Sequence, residues 1–476
     1  MTADLLALSG LELAGEIERR AVSPVEVLEA VHARLDATEP RWNCYVLRTA
    51  DTALAEARQA EAEIARGQYR GPLHGLPLAV KDNIAVANTV TAAGAKFLMD
   101  NVTPEDAEAV RRLRAAGAIV VGKTNLHELA LGSTTDNPWY GPTRNPYAPD
   151  RIPGGSSGGS AASVAGRQVP LALGTDSAGS VRMPASLCNV VGLKPTHGRV
   201  SMRGLVASLT VTTDHIGPLT RTVADAALML EVMAGYDPAD PFSLDRPVPA
   251  YRAALGRGLR GVRVGVPTNY FFDLCDPAVA DGVRAAIAAL ADLGARLVEV
   301  TIPDLEAMMH LRSGLAGEAL AFVDEPLRAH PEQISPDIRA RLYAAYLVSG
   351  GDYARANRVR RLVMERFAAT FREVDLLAAP ATVVPAFPIG DHDVPLRDYR
   401  SGQDVAEPWT TTMIRNTAPG NVTGLPSISV PGGFTPSGLP FGLMLTARPF
   451  EEELLLAAAH AYEQATNWQA RVPAIA

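Results

Sequence analysis

Apolar positions along the chain switch between a helical and a strand period, and the switches mark the elements. After Ser23-Pro24-Val25-Glu26, the residues Leu28, Val31 and Leu35 recur at helical spacing. Ser23 and Glu26 make a capping box, with Pro24 at the first helical position. A second helix is predicted over about Thr52–Arg66. Leu76–Val80 is a short apolar run that reads as a buried strand. Thr103-Pro104 reads as the opening of a helix through Ala116, which Gly117 closes, and Ala118–Val121 as the next strand. Strand, helix and strand in that order form the βαβ unit of a parallel sheet.

The pattern recurs towards the carboxy terminus. Val262–Val266 and Arg296–Val300 read as strands around a helix at Ala278–Leu293. A helix near Tyr353–Arg372 precedes a strand at Leu376–Ala379. Ser427–Val430 and Phe441–Thr446 read as two more strands, followed by a helix at Glu451–Ala465. Thr382–Thr412 is rich in Pro, Asp and Gly and is predicted to be a long surface loop. No internal repeat and no clear interdomain linker is visible. The class is α/β, one sheet covered on both faces.

Charge and composition narrow the function. In 476 residues, 44 basic and 52 acidic side chains leave a net charge of −8. A mildly acidic surface argues against nucleic acid or anionic membrane as the main partner. No apolar run reaches the ~18 residues of a membrane span. Met1-Thr2-Ala3-Asp4 lacks the basic-then-apolar pattern of a secretory signal, so a cytoplasmic location is expected. Cys44, Cys188 and Cys275 are far apart, which predicts neither a disulfide framework nor a metal centre, but buried thiols. Only four basic residues are lysines, Lys81, Lys96, Lys123 and Lys194. Arginine stays charged at working pH and lysine need not, so these four rank as candidates for proton transfer.

Two Gly/Ser-rich stretches carry the candidate chemistry. Gly154-Gly155-Ser156-Ser157-Gly158-Gly159-Ser160 precedes a helix start at Ala161–Ala165. Glycines before a helix expose backbone N–H groups, which suits an anion or oxyanion. Gly174-Thr175-Asp176-Ser177-Ala178-Gly179-Ser180 follows the apolar run Val169–Leu173. Such a turn can present a serine hydroxyl and several amides to one point, as a nucleophile and an oxyanion hole require.

Two other patterns are set aside. Gly117-Ala118-Ile119-Val120-Val121-Gly122-Lys123-Thr124 fits a phosphate loop, but the residues between its glycines are themselves a strand. Gly155-Ser156-Ser157-Gly158-Gly159 fits a nucleophile elbow, but Arg151-Ile152-Pro153 rather than an apolar strand precedes it. None of His197, His215, His310, His330, His392 and His460 sits in a telling context for a serine triad. Lys81 is the alternative base. It ends a buried strand, where desolvation favours the neutral amine. The plain alternative is an ion pair with Asp82.

These residues resemble the amidase signature enzymes over nearly the whole chain. The resemblance is carried by Gly75-Leu76-Pro77 through Lys81-Asp82-Asn83, and by Gly122-Lys123-Thr124-Asn125-Leu126-His127-Glu128. It continues through Gly154 to Ser160, Gly174 through Ser180, and Gly192-Leu193-Lys194-Pro195-Thr196. Asp214-His215-Ile216-Gly217-Pro218 and Thr423-Gly424-Leu425-Pro426 complete it. The resemblance implies one large central mixed β-sheet with helices on both faces. It implies a single domain over 1–476: helices in 1–70, the signature core at about 71–235, and 236–476 completing sheet and pocket.

The family's Ser-cisSer-Lys triad maps onto Ser180 as nucleophile, Ser156 as middle serine and Lys81 as base. The amides of Ser177, Ala178, Gly179 and Ser180 match its oxyanion hole. Ser157 is a supporting neighbour whose plain role is a helix cap. Asp176 and Arg182 brace the loop. The implied reaction is acyl transfer from a small carboxamide, aryl amide or carbamate, or an ester, with no cofactor and no metal. Activity is then expected to rise as pH passes through the lysine pKa. A homodimer fits this family. Ala178 and Asn189 depart from the family's usual glycines, and Ala178 requires a right-handed or extended backbone there. Cys188 reads as packing.

The alternative is the glutamine-hydrolysing component of a tRNA-dependent amidotransferase, its A subunit. Leu126-His127-Glu128 is more like stand-alone amidases than the Met-Asp-Glu usual in that component. Arg415-Asn416-Thr417-Ala418-Pro419 lacks the acidic residue that component carries just before this point. Arg360 reads as a helix-surface charge, with carboxylate binding as its other role. A noncatalytic binding module is the third reading. Met183, Met202 to Leu209, Leu311–Leu347 and the 382–412 loop are the candidate pocket walls.

Overall fold

Side chains of the first strands alternate between two apolar layers. Leu78, Val80, Val120, Leu171 and Leu173 enter one core cluster, and Ala79, Ile119, Val121 and Ala172 enter another. A strand buried on both faces reads as a continuous apolar run, which is why these segments are legible in the sequence. The computed structural model describes residues 4–474, except the side chains at positions 309, 310, 312 and 313. Met1–Ala3, read above for a signal, and the His310 side chain lie outside the described residues.

Among the described residues, eleven strands form one mixed sheet. Pro77–Lys81 runs parallel to both Ile119–Thr124 and Leu171–Thr175 at one end. Arg263–Pro267 runs parallel to both Arg296–Val300 and Leu376–Pro380 at the other. Ile216–Thr220, Val191–Lys194, Ser427–Phe434 and Pro440–Ala447 join the two ends through antiparallel pairs. Tyr45–Arg48 closes the near edge.

Helices cover both faces. Pro24–Trp42 starts with the complete capping box of Ser23 and Glu26 and buries Val27, Leu28, Val31 and Leu35. With Ala50–Ala65 and Gly158–Ala165 it covers the face of Ala79 and Ala172. Glu108–Ala115 and Val223–Met233 lie on the other. No described helix is long and apolar enough to cross a membrane. Cys44, Cys188 and Cys275 are free and buried, as expected.

Two expectations change. The helix expected from Thr103 starts at Glu108. Val102–Thr103 instead pairs with Thr89–Val90, and the Asp106 carboxylate accepts from the Ala87 amide, so this stretch is held as a loop. The loop expected over 382–412 contains a hairpin of Asp393–Asp398 and Gln403–Pro408, then a short helix at Trp409–Thr412. Only Val394 and Leu396 alternate inward on its first strand, too short a period to stand out among Pro and Asp.

Candidate active site

Lys81 is the last residue of a central strand and is completely buried. Its Nζ donates to Ser156 Oγ at 2.7 Å and to Thr175 Oγ1 at 2.7 Å. Burial pushes its ammonium down to about 7, with the Asp176 and Asp214 carboxylates pulling the other way. The ion pair of Lys81 with Asp82 does not form: Asp82 pairs with Lys123 at 3.2 Å. Lys194 is buried on the Leu425 and Pro195 carbonyls, and Lys96 lies over the Trp139 ring. Of the four lysines, Lys81 is the one that meets a serine.

Ser156 lies in the loop that leads into Gly158–Ala165. It is completely buried, and the Gly155–Ser156 peptide is cis. Ser157 does not cap this helix with its side chain. Its Oγ donates to the Thr175 carbonyl at 3.1 Å and accepts from the Thr175 amide at 3.3 Å. Its amide donates to the Ser180 carbonyl at 3.3 Å, so Ser157 stitches the two Gly/Ser stretches together.

The second stretch turns from the end of Leu171–Thr175 into the helix Arg182–Leu187. Asp176 is its internal template. Its carboxylate accepts from the Gly179 amide at 2.6 Å, the Val181 amide at 3.2 Å, and Arg182 through Nε and Nη2 at 3.0 Å each. Asn421 adds donors to the Asp176 carboxylate and carbonyl, both at 2.8 Å, and accepts from Arg182 at 2.6 Å. Burial raises the Asp176 carboxyl, but the Arg182 guanidinium outweighs it and holds the group well below the usual carboxylate range.

Gly179 has φ +127°, and a Cβ there would run into the Thr417 side chain. Thr417 Oγ1 donates to the Ala178 carbonyl at 2.5 Å, and Ala178 itself needs no positive φ. The amides of Ser177, Ala178 and Ser180 have no acceptor among the described residues. Gly179 departs from expectation: its amide is taken up by Asp176 Oδ1 and is not offered to a ligand.

Above this loop lies a cavity of about 220 Å³. Ser180, Ser177, Ala178, Thr175 and Asn83 form its polar end. Ala207, Leu209, Leu315, Ala319, Leu342, Ala345, Trp409 and Ile414 supply an apolar wall. Asp214 also lines it. The Asp214 carboxylate accepts from Ser177 Oγ, from Ser208 Oγ at 2.5 Å and from Thr210 Oγ1 at 2.8 Å. Burial raises its pKa against those three hydroxyls.

A polar floor with a buried lysine and serines, under an apolar wall, is suited to attack on a carbonyl carbon. The amidase family profile matches residues 26–456. The chain belongs to the amidase family. It is 45% identical to a Pseudomonas putida amidase, with 98% of each chain covered. It is also 40% identical to the Moorella thermoacetica glutamyl-tRNA(Gln) amidotransferase component of the same family, the A subunit, with 99% of each covered. The structure of a bacterial aryl acylamidase of the amidase signature family superposes with a TM-score of 0.89 at 28% identity, covering 97% of this chain and 98% of that one. Family membership makes this chain a hydrolase of non-peptide C–N bonds, and the sheet is the α/β fold expected of it.

The expected walls mostly meet at the cavity of this amidase. Residues 202–209, 311–347 and 382–412 all contribute to it, whereas Met183 is fully buried elsewhere. Arg360 is neither a carboxylate ligand nor a free surface charge: it donates to the Val422 and Thr212 carbonyls at 2.8 Å each. Arg415 donates to the Tyr270 carbonyl and lies over that ring. Asn189 has φ +56°, which accounts for glycine as the family's usual residue there. Cys188 donates to the Pro153 carbonyl at 3.3 Å. Asn83, Thr175, Asp214, Thr417 and Asn421 were missed as site residues. Four of them sit inside motifs already singled out, and Asn421 lies two residues before Thr423-Gly424.

Proposed function

We propose that this chain is a stand-alone amidase that cleaves carboxamide C–N bonds through an acyl-enzyme on Ser180. The observation that carries the reading is the 2.7 Å contact from the buried Lys81 amine to Ser156 Oγ, behind Thr175 in the wall of a cavity lined by Ser180. The apolar wall favours small hydrophobic or aryl groups, with carbamates and esters as further substrates.

Neutral Lys81 accepts the Ser156 proton, and Ser156 accepts the Ser180 proton as Ser180 Oγ bonds to the carbonyl carbon. The three free amides of Ser177, Ala178 and Ser180 receive the developing oxyanion. Loss of one such donor typically costs about 10²–10³ in rate. The proton returns through Ser156 to the nitrogen as the C–N bond breaks and the amine leaves. Water, deprotonated through the same relay, then attacks the acyl carbon and restores Ser180. In this reading Asp176 and Arg182 hold the loop and do not touch substrate.

The Moorella relative supports a second reading, a glutamine-hydrolysing component that works with partners. Against it stands Arg415, which occupies the region of the expected acidic residue and is bonded to the Tyr270 carbonyl.

The deciding experiment is a hydrolysis panel on purified protein, with Ser180→Ala as the blank. It contains glutamine, aliphatic amides, anilides, esters and aryl carbamates. Turnover of anilides or carbamates, lost in the variant by about 10⁴-fold or more, is the expected result. Turnover of glutamine alone, or none, overturns the stand-alone reading in favour of the partner-dependent one.

A further inference from the structure

Asn83 is 2% exposed, lies two residues beyond Lys81 and lines the cavity beside Thr175 and Ser180. Its Nδ2 donates to Thr175 Oγ1 at 3.2 Å, the same hydroxyl that accepts from Lys81 Nζ. That bond sets the plane of the Asn83 amide and leaves Oδ1 with no hydrogen-bond partner. Among the residues lining the cavity, Asn83 Oδ1 and Arg341 Nε are the two buried side-chain polar atoms so left, and Asn83 Oδ1 is the acceptor. A buried acceptor without a donor is rare and costs free energy until one arrives.

None of the spare N–H groups of the wall, the amides of Ser177, Ala178 and Ser180 and the Arg341 Nε–H, is bonded to Oδ1, which leaves that acceptor to an N–H of the ligand. Resting on the reading that Ser180 attacks an amide carbonyl, we infer that Asn83 Oδ1 accepts an N–H of the scissile nitrogen and selects primary and secondary amides over esters and tertiary amides. Those two rejected classes carry no hydrogen on the leaving atom, so they leave Oδ1 unpaired in a closed site. A site with a buried polar group discriminates strongly against an analogue that cannot pair with it. The contact also has a consequence for C–N cleavage. Once Ser180 has added, the nitrogen lone pair must take a proton before the amine departs. Holding the N–H on Asn83 leaves that lone pair on the opposite side of the nitrogen, free for the proton returning through Ser156.

The test is a matched pair, an anilide and the phenyl ester of the same acid, which differ by N–H against O. In Asn83→Leu, kcat/KM for the anilide is expected to fall about 10- to 100-fold, the worth of one buried hydrogen bond. The ester is expected to change less than about threefold, with the pH midpoint of the rate unmoved. Equal losses on both substrates, or a moved midpoint, overturn the inference, because Asn83 then acts only through Thr175 and Lys81. No loss on the anilide overturns it too. Should Asn83→Leu not fold, binding to Ser180→Ala protein gives the same answer. The anilide is expected to bind about tenfold tighter than the ester or more, and equal affinities overturn the assignment. Anilide hydrolysis that survives Ser180→Ala strikes the nucleophile reading instead, so the two failures stay distinguishable.

Discussion

The floor and the roof of the cavity are built by different physics. The floor is a layer in which Thr175 reaches the cavity and Lys81, Ser156, Ser157, Asp176, Arg182 and Asn421 lie behind it, all at most 2% exposed and tied by directional bonds of 2.6–3.3 Å. The roof is Leu315, Ala319, Leu342 and Ala345 on helices, with Trp409 beside them. Ala319 and Leu342 belong to a separate apolar cluster, with Ala207 and Leu209 from the signature core. Polar struts tie the helical segment of the roof to the signature core: Glu128 accepts from the Ser335 amide at 3.1 Å, Arg341 donates to the Leu131 carbonyl at 2.7 Å, and Thr212 Oγ1 donates to Glu318 at 2.8 Å. Proton transfer needs atoms held to a fraction of an ångström, which networks of hydrogen bonds supply. Apolar contact is non-directional and tolerates exchange of one side chain for another. On the proposed mechanism, chemistry belongs to the floor and selectivity to the roof.

The largest expected effect breaks the floor at its base. Lys81→Met should lower kcat/KM about 10²–10⁴-fold in steady-state assays. The base must be neutral to act, so wild-type kcat/KM should rise as pH increases through about 7 and level off above it. A rate that peaks below pH 5 contradicts a lysine base. Next, Asp176→Ala leaves Arg182 as a buried, unpaired charge. A loss of about 3–5 kcal/mol in urea unfolding is expected, together with loss of activity. Unchanged stability would mean the loop does not depend on that pair.

Changes in the roof should be smaller and of another kind. Ala345→Phe fills part of the cavity, and KM for an anilide should rise about tenfold while a small acylating probe still labels Ser180 at the wild-type rate. Slower labelling would place Ala345 in the chemistry and blur the division. The smallest effect is expected from Cys188→Ala, which touches neither region's cavity surface. Activity should stay within about threefold, and iodoacetamide should not label the native thiol, since burial raises its pKa.

Much of the fold was legible because strands buried on both faces leave continuous apolar runs, as at Leu376–Pro380. The hairpin over Asp393–Pro408 was not, because its pairing rests on backbone bonds and just two inward residues. Within the site, Ser156 and Lys81 were legible from their motifs. Asn421 was not: it lies 245 residues from Asp176, and nothing local marks it as the partner of that carboxylate. Gly179 was misjudged for a related reason, since a glycine-rich turn advertises free amides without saying which one its own aspartate consumes.

The sequence by itself determined the α/β class, the family and the order of the chemical groups, because side-chain period and motif spacing are local properties of a chain. Only the tertiary structure decided that Lys81 meets Ser156 rather than Asp82, that Ser157 bridges two loops rather than capping a helix, and that Asn83 keeps an unpaired oxygen at the cavity wall. Those outcomes depend on which buried polar atoms converge, and burial makes each of them find a partner or wait for one.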